Sequence, residues 1–318
     1  MMFSLIKWIQ ATLGTLKRNK GLWFTTLTTV STLGIILSIY IINTMTTNVA
    51  HQTYLEERRV DVSQLDSLIF GYYDDLLNYG SIISVNQEFL NGIKNKDSES
   101  INALLQKTTQ TISNNADISP LELRFYIKDH KVEGNQNNDI ADMVIETQQS
   151  TSGIVVNRNG VRILGMVPVV ENNVSIGALE VTQSIHVLKE EFEIRGKEFT
   201  FILSTPQLVF LDLEHKQGNY KKINDDFSVS FHMYDSSFYL NVSKLDFEIL
   251  RHEKYINNAQ FYTTYDDVFD IHGKTIGMAL IGEDAEYSNS FVKITKNMIN
   301  SVTTVALGLI ISLILFMF

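Results

Sequence analysis

Two long stretches without charge, one near each end of the 318-residue chain, constrain its fold more than any other feature. From Gly21 to Leu55 no residue is charged if His51 is counted as neutral, and residues 22–42 are mostly apolar, with threonines and serines among them. Residues 298–318 are again uncharged and end in a strongly apolar run. A helix crosses a bilayer core about 30 Å thick in about 20 residues. The sequence therefore predicts two transmembrane helices, at 21–43 and 301–318.

The first stretch has two alternative interpretations. One is a helix buried in the core of a soluble domain, and the other is a cleaved signal peptide. A signal peptide has a shorter apolar core followed by a cleavage site of small residues, whereas residues 43–50 offer only a poor site. We therefore expect an uncleaved signal anchor.

The distribution of charge predicts the orientation of the chain. Residues 1–20 contain four basic residues and no acidic one, whereas all 36 acidic residues lie between Glu56 and Glu286. The positive-inside rule then places residues 1–20 in the cytoplasm and residues from about 44 to 297 outside. The formal net charge of −10 argues against nucleic-acid binding. A chain without cysteine also excludes a disulfide-rich scaffold and a thiol enzyme.

A helical pattern follows the first apolar stretch. Apolar residues recur at three- and four-residue spacing from Val62 to Ile83 and predict a stalk helix over 44–95. The apolar side of this helix packs on its own domain, and a homodimer in which it also pairs with a second copy is an open alternative. The helical spacing returns after Asp284 and predicts a return helix over 286–300 that leads into the second apolar stretch.

The hydrophobic period changes to two in the middle of the chain. Strict alternation predicts a half-buried strand at 121–127, and Asn159-Gly160 is a strong signal for a hairpin. Short links of this kind imply antiparallel pairing. The remaining strands of the first set are predicted at 154–158, 161–170 and 175–182, with a short helix at 139–149. A second set is predicted at 199–204, 208–213, 227–233, 238–242, 259–268 and 275–281.

The two sets of strands contain a weak internal repeat. In each set a strand, a tight turn and a second strand that opens with Ile-Gly follow one another, at Ile176-Gly177 and at Ile276-Gly277. The two Ile-Gly pairs are 100 residues apart. The shared context predicts a duplicated α/β module.

The arrangement resembles the double Cache sensor region of bacterial transmembrane receptors. The closest resemblance lies in 153–170 (GIVVNRNGVRILGMVPVV) and 176–181 (IGALEV). It implies an α+β fold with two tandem PAS-like modules, each with a five-stranded antiparallel sheet, on a stalk helix flanked by two transmembrane helices. It places the membrane-distal module at 96–195, the membrane-proximal module at 196–285, and a cytoplasmic output domain beyond residue 318. It also implies a bacterial cytoplasmic membrane and a ligand pocket in the membrane-distal module.

Several polar side chains of the first module are candidate ligand contacts. The planar guanidinium of arginine binds a carboxylate or a phosphate through two hydrogen bonds, which makes an anionic ligand possible. Glu180 is a candidate to hold an amine or to orient an arginine. The plainer alternative is a solvated strand face in which the arginines pair with Glu122 or Glu180. The predicted ligand-binding residues are Arg124, Tyr126, Arg158, Arg162 and Glu180.

These observations predict a sensor that binds a small molecule outside the membrane and transmits a helix displacement across the bilayer. The alternative is a two-span interaction protein that binds a periplasmic protein. The seven histidines show no metal-binding spacing, and no phosphate-binding loop, nucleophile elbow or catalytic triad is visible. We therefore expect no metal, no cofactor and no enzymatic activity.

Overall fold

The computed structural model describes residues 20–94, 98–116, 121–127, 137–212, 220–230, 233, 237–258, 260–285 and 291–317. The predicted cytoplasmic segment therefore lies outside the described residues except for Lys20, as does the 286–290 part of the predicted return helix. The chain divides into two compact units, with boundaries at 56/57 and 287/288. Each unit is described by itself below.

The smaller unit contains the beginning of a long helix and a second helix from the end of the chain. Helix α1 spans Lys20–Ser84, and the last helix spans Phe291–Met317. Threonine hydroxyls in α1 donate to backbone carbonyls four residues earlier, as at Thr44 and Thr46, which keeps these polar groups satisfied on an apolar helix. Of the described helices, one is long and apolar enough to cross a bilayer, and this stretch lies within Thr32–Ser84. The second span stays a prediction.

The larger unit begins with the remainder of α1, which buries one face. Leu65, Leu76 and Ile83 are 1%, 1% and 6% exposed, and these positions fall on the predicted helical stripe. The helix ends at Ser84, and α2 (Gln87–Lys94) begins after Asn86, whose side-chain oxygen accepts hydrogen bonds from the next turn. The predicted stalk therefore consists of two helices. Helix α3 (Ser98–Ala116) follows and leads into the first sheet.

Four strands of the described chain form the first sheet. They are β1 (Leu121–Ile127), β2 (Thr151–Asn157), β3 (Gly160–Glu171) and β4 (Val174–Ser184), all antiparallel in the order β1-β4-β3-β2. The predicted hairpin at Asn159-Gly160 is confirmed, since Asn157 of β2 pairs with Gly160 of β3. In the turn between β3 and β4, Asn172 and Asn173 have φ of 49° and 63°, the left-handed conformation that a tight hairpin turn requires. Helix α4 (Asn138–Thr147) covers one face of this sheet, and α1 covers the other.

Contact between α1 and the sheet depends on small residues. A Cβ placed on Gly165 of β3 would lie 2.8 Å from the Cβ of Leu76 and 3.0 Å from the carbonyl carbon of that residue. On the helix, a Cβ on Gly80 would lie 3.0 Å from a methyl of Val167. The absence of side chains at these two positions lets the helix backbone approach the sheet closely.

Six strands of the described chain form the second sheet, in the order β6-β7-β5-β10-β9-β8. Helix α5 (Val187–Ile194) connects the two sheets, and α6 (Ser237–Val242) and α7 (Phe247–Glu253) lie between β7 and β8 in the chain. The strands are β5 (Glu198–Ser204), β6 (Tyr220–Lys222), β7 (Phe227–Ser230), β8 (Tyr255–Asn257), β9 (Phe261–Phe269) and β10 (Thr275–Asp284). The last helix of the chain, Phe291–Met317, is α8.

The α+β class and the two antiparallel sheets are as predicted, but three details are wrong. The sheets contain four and six described strands rather than five each. The predicted strand at 208–213 is largely a 3-10 helix, Thr205–Phe210, which Pro206 begins because its fixed φ suits a helical start. The predicted strand at 238–242 is α6. There Phe238 and Val242 are buried while Leu240 is 59% exposed, and a strand would have placed all three on one face.

The predicted repeat is visible in the two sheets. Gly177 lies in β4 and Gly277 in β10, and in each case the neighbouring antiparallel strand crosses closely over the glycine. A Cβ on Gly177 would collide with the carbonyl oxygen of Tyr126, and a Cβ on Gly277 with that of Ile202. A phenylalanine ring, from Phe125 or Phe201, also lies against each glycine. The two Ile-Gly pairs therefore occupy equivalent positions in related modules.

Candidate ligand-binding site

Strand register places four of the five predicted ligand residues on one face of the first sheet. In the β1–β4 pair, Arg124 lies opposite Glu180, and Tyr126 lies opposite Ala178. In the β3–β4 pair, Met166 lies opposite Glu180. Arg162 precedes Met166 by four residues on β3 and therefore lies on the same face. This is the face that α4 covers, because Tyr126, Met166 and Ala178 pack with the buried residues of that helix.

Glu180 is the polar centre of this face. Its side chain is buried, with the residue 1% exposed, and one carboxylate oxygen accepts hydrogen bonds from the hydroxyl of Tyr126 at 2.6 Å and from the amide of Asn137 at 3.0 Å. Leu164 and Met166 are among the apolar residues that pack around it. No Lys or Arg nitrogen of the described chain forms an ion pair with it.

Arg162 is already paired. Its guanidinium donates to Glu122, and the other oxygen of Glu122 accepts from the side-chain amide of Asn159 at 3.2 Å. The Arg162 side chain is 10% exposed, so this ion pair is largely shielded from water. Tyr220 lies beside it, and burial raises the pKa of its phenol to about 12, although Val161 and Arg162 act in the opposite direction. For Arg162, the structure therefore contains the pairing with Glu122 that the sequence offered as an alternative.

Arg124 and Arg158 lie at more exposed positions. Arg124 faces solvent at the edge of a surface groove, which α3 lines with the polar side chains of Asn102, Gln106 and Thr109. Arg158 lies in the turn between β2 and β3 with an exposed side chain, and its carbonyl oxygen accepts a hydrogen bond from the backbone N–H of Asp212 at 3.3 Å. The structure does not bring Arg158 into contact with Glu180.

A cavity of about 140 Å³ lies beside the Glu180 face, and sequence reasoning missed it. Its lining comes from both modules: Asn137, Ile140, Val155 and Val156 from the first, and Gln207, Phe210, Asp270, Ile271 and His272 from the second. Asn137 precedes α4 but makes no capping hydrogen bond with its side chain, because its amide is directed to Glu180 instead. Asparagine before a helix is a common capping signal, and only the fold reveals this other use.

The β9–β10 turn of the second module forms one wall of this cavity. Ile271 donates its backbone N–H to the carbonyl of Ile154 in β2 at 2.9 Å. Its side chain packs against the apolar cluster around Leu164, and a Cβ on Gly153 would lie 2.7 Å from it. His272 lies 3.5 Å from the carboxylate of Asp139, at the start of α4. Both modules therefore surround the space next to Asn137.

In the part of the chain that the structure describes, no three His, Cys, Asp or Glu side chains are placed to hold a metal ion. The cavity combines polar side chains such as Asn137 and Gln207 with an apolar wall that includes Ile140 and Val155. Such a combination suits the recognition of a small organic molecule.

Comparison with known proteins adds a likeness of fold. No protein-family model matches the sequence, and no curated protein matches it. The solved structures that resemble it include the sensor domain of the Vibrio cholerae histidine kinase DctB, with 10% identity, a TM-score of 0.39, and coverage of 74% of this chain and 98% of that one. The periplasmic domain of Vibrio cholerae LuxQ has 12% identity, a TM-score of 0.41, and coverage of 70% and 99%.

A third similar structure is the sensory domain of the Campylobacter jejuni chemoreceptor Tlp3 with isoleucine bound. It has 10% identity and a TM-score of 0.41, and the match covers 76% of this chain and 96% of that one. These three structures are sensor or periplasmic domains. At such low identity the likeness concerns the fold.

Proposed function

We propose that this chain is the sensor region of a bacterial membrane receptor and that it binds a small molecule on the α4 face of the first module. The observation that carries the proposal is the buried carboxylate of Glu180, which accepts hydrogen bonds from Tyr126 and Asn137, both neutral, and from no cation of the described residues. A ligand with an ammonium group supplies the missing positive charge. Hydrogen bonds between charged partners are about twice as strong as those between neutral ones.

The position of Asn137 defines a route by which a ligand in the cavity can reach Glu180. Its side chain contacts Glu180 and also lines the cavity of about 140 Å³, so it separates the carboxylate from that space. Rotation of this one amide exposes Glu180 to a ligand in the cavity, and the ligand ammonium then takes the place of the Asn137 donor. Ile140, Val155 and Ile271 form the apolar wall for the hydrocarbon part of the ligand.

The other predicted residues have secondary roles in this proposal. Tyr126 holds Glu180 in position through its short hydrogen bond. Arg124 lies opposite Glu180 in the register and is exposed, so it is free to bind an acidic group of a ligand that carries one. Arg158 and Arg162 remain predicted contacts for an anionic group, although Glu122 competes for Arg162.

The connection to the membrane runs through α1. The strands that carry Glu180 and Met166 on one face pack against α1 through the other face, where Gly165 meets Leu76 without intervening space. A shift of β3 or β4 on ligand binding therefore displaces the helix rather than being absorbed by a gap. We propose that the same helix continues through the bilayer with its N-terminus in the cytoplasm, and that the receptor acts as a homodimer. A ligand changes this equilibrium only by its difference in affinity for the two states.

The test is a thermal-shift screen of the full chain in lipid nanodiscs. The compounds are small primary amines, α-amino acids and carboxylic acids without an amine. We expect stabilisation only by compounds with an ammonium group, and loss of that stabilisation in Glu180→Gln, which keeps an acceptor for Tyr126 but removes the charge. Glu146→Gln, at an exposed position on α4, is the matched control. Equal stabilisation by acids that lack an amine, unaffected by Glu180→Gln, would contradict the proposal.

A further inference from the structure

A second cluster of charged groups, far along the chain from Glu180, lies where α1 packs on the second module. The carboxylates of Glu57 and Asp61 are one helical turn apart and therefore share a face of α1. The ammonium of Lys197 lies 2.5 Å from an oxygen of each. Asp61 is 1% exposed, and the side chains of Lys197 and Glu57 are 15% and 17% exposed.

Local structure fixes Lys197 in this place. Helix α5 ends in a Schellman motif, in which the N–H of Lys197 donates to the carbonyl of Phe192 at 3.0 Å and the N–H of Gly196 donates to Glu193 at 2.9 Å. Gly196 has φ of 72°, the left-handed conformation that this motif uses. The lysine therefore leaves the helix end in a defined direction, toward α1.

The other described elements around Asp61 add negative charge, and among the described residues Lys197 is the cation that pairs with it. Glu283 of β10 is 7% exposed and destabilises the ionised form of Asp61, as does Glu57. Tyr262 of β9 is fully buried nearby, and burial raises the pKa of its phenol. Arg58 is directed elsewhere, to the carbonyl of Tyr265 at 3.4 Å and the carboxylate of Asp266 at 3.7 Å. Lys197 thus lies among Glu57, Asp61 and Glu283 in a poorly hydrated space.

We propose that this cluster is a proton-binding site, through which the receptor senses pH in addition to its small-molecule ligand. The docked helix holds Asp61 in a buried environment, whereas an undocked helix exposes it to water. A proton on Asp61 removes one of the three negative charges and so favours the docked helix. Acidification therefore tightens the packing of α1 on the second module, and alkalinisation loosens it.

The size of the pH effect on docking, and the pH range in which it occurs, follow from the difference in the pKa of Asp61 between the docked and undocked states. Burial, opposed in part by Lys197, raises the pKa of Asp61 from 3.8 to about 6. Burial alone lowers the pKa of Lys197, but Asp61 and Glu57 outweigh it and raise that pKa, so the lysine stays charged. The docked state binds the proton about 100-fold more tightly than a solvated Asp61, since each pKa unit is a factor of ten. Between pH 5 and pH 8 the docking equilibrium is expected to shift about tenfold.

The experiment uses the absence of cysteine in the chain. A single cysteine at Leu65, which is 1% exposed on the docked face of α1, reports undocking through its rate of modification by N-ethylmaleimide. A cysteine at the exposed Ser63 on the same helix corrects for the ionisation of the thiol. Both are measured in the full chain in nanodiscs from pH 5 to pH 8.

We expect the rate at position 65, divided by the rate at position 63, to rise about tenfold from pH 5 to pH 8, with about fivefold of that rise between pH 5 and pH 6. Asp61→Asn mimics the protonated state and should give a slow, pH-independent rate, whereas Asp74→Asn, at an exposed position on α1, should behave like the parent. A flat profile in the parent, or the same profile in Asp61→Asn, overturns the proposal. If Asp61→Asn does not fold by circular dichroism, the parent profile alone decides. The small-molecule proposal is unaffected by any of these results.

Discussion

The contact between Gly165 and α1 gives the sharpest test of the packing that links the first sheet to the helix. A Cβ on Gly165 would lie 2.8 Å from the Cβ of Leu76 and 3.0 Å from the backbone nitrogen of Leu77, so Gly165→Ala forces backbone atoms apart. Overpacking of this kind typically costs about 1–3 kcal/mol. In a unit of this size each kcal/mol lowers Tm by about 2–4 °C. We expect Gly165→Ala to unfold about 2–12 °C below the parent.

Gly71→Ala is the matched control, with the opposite sign expected. Gly71 lies on α1, the helix that packs against Gly165, and a Cβ at Gly71 meets nothing within 4 Å. Alanine is favoured over glycine in a helix interior by about 0.5–1 kcal/mol, so the variant should gain about 1–4 °C. Both variants are measured by circular dichroism in the same detergent or nanodisc. A Gly165→Ala protein as stable as the parent would refute the close packing of α1 on β3, and with it the direct mechanical link.

The other predictions concern polar groups. Asn137→Leu should destabilise the fold by about 1–3 kcal/mol in urea unfolding, because Glu180 loses one of its two donors; unchanged stability would argue against a tightly held Glu180. Asn86→Ala should cost about 0.5–2 kcal/mol by the same assay, because the first turn of α2 loses its cap. The raised pKa of Asp61, about 6, means that its protonated form stabilises the fold, so the free energy of unfolding should fall by up to about 3 kcal/mol as pH rises from 4 to above 6. Asp61→Asn should lack this decline, and a decline of equal size in that variant would exclude Asp61 as its source.

Much of the fold is predictable because its local signals agree with its tertiary environment. Residues 121–127 alternate strictly, and β1 has the predicted bounds, although both of its faces contain a buried residue, Leu121 on one and Tyr126 on the other. The Asn-rich turns are predicted because few other residues adopt positive φ there. The strand predicted at 238–242 fails because a short apolar run has no decisive period. Burial of Phe238 and Val242 against the second sheet selects a helix instead.

The candidate site is less predictable than the fold. Period-two counting places Arg124 and Tyr126 on one face of a strand, and the register of the structure adds Glu180 to that face. The sequence offers Glu122 and Glu180 as alternative partners for the arginines. It does not decide that Arg162 forms an ion pair with Glu122, because the two residues lie on strands distant in sequence and the pair depends on strand order. Asn137 and Ile271 come from a helix start and a turn of different modules, so no local pattern connects them.

The central claim is that Glu180 binds the ammonium group of a small ligand. Isothermal titration calorimetry of the full chain in nanodiscs tests it most directly, with the amine that gives the largest thermal shift and with Glu180→Gln alongside the parent. A hydrogen bond to a charged partner contributes about 1.5–3 kcal/mol, so Glu180→Gln should weaken binding by about 10- to 150-fold while Glu146→Gln, at an exposed position on α4, leaves it unchanged. Equal affinity in the parent and in Glu180→Gln would contradict the account.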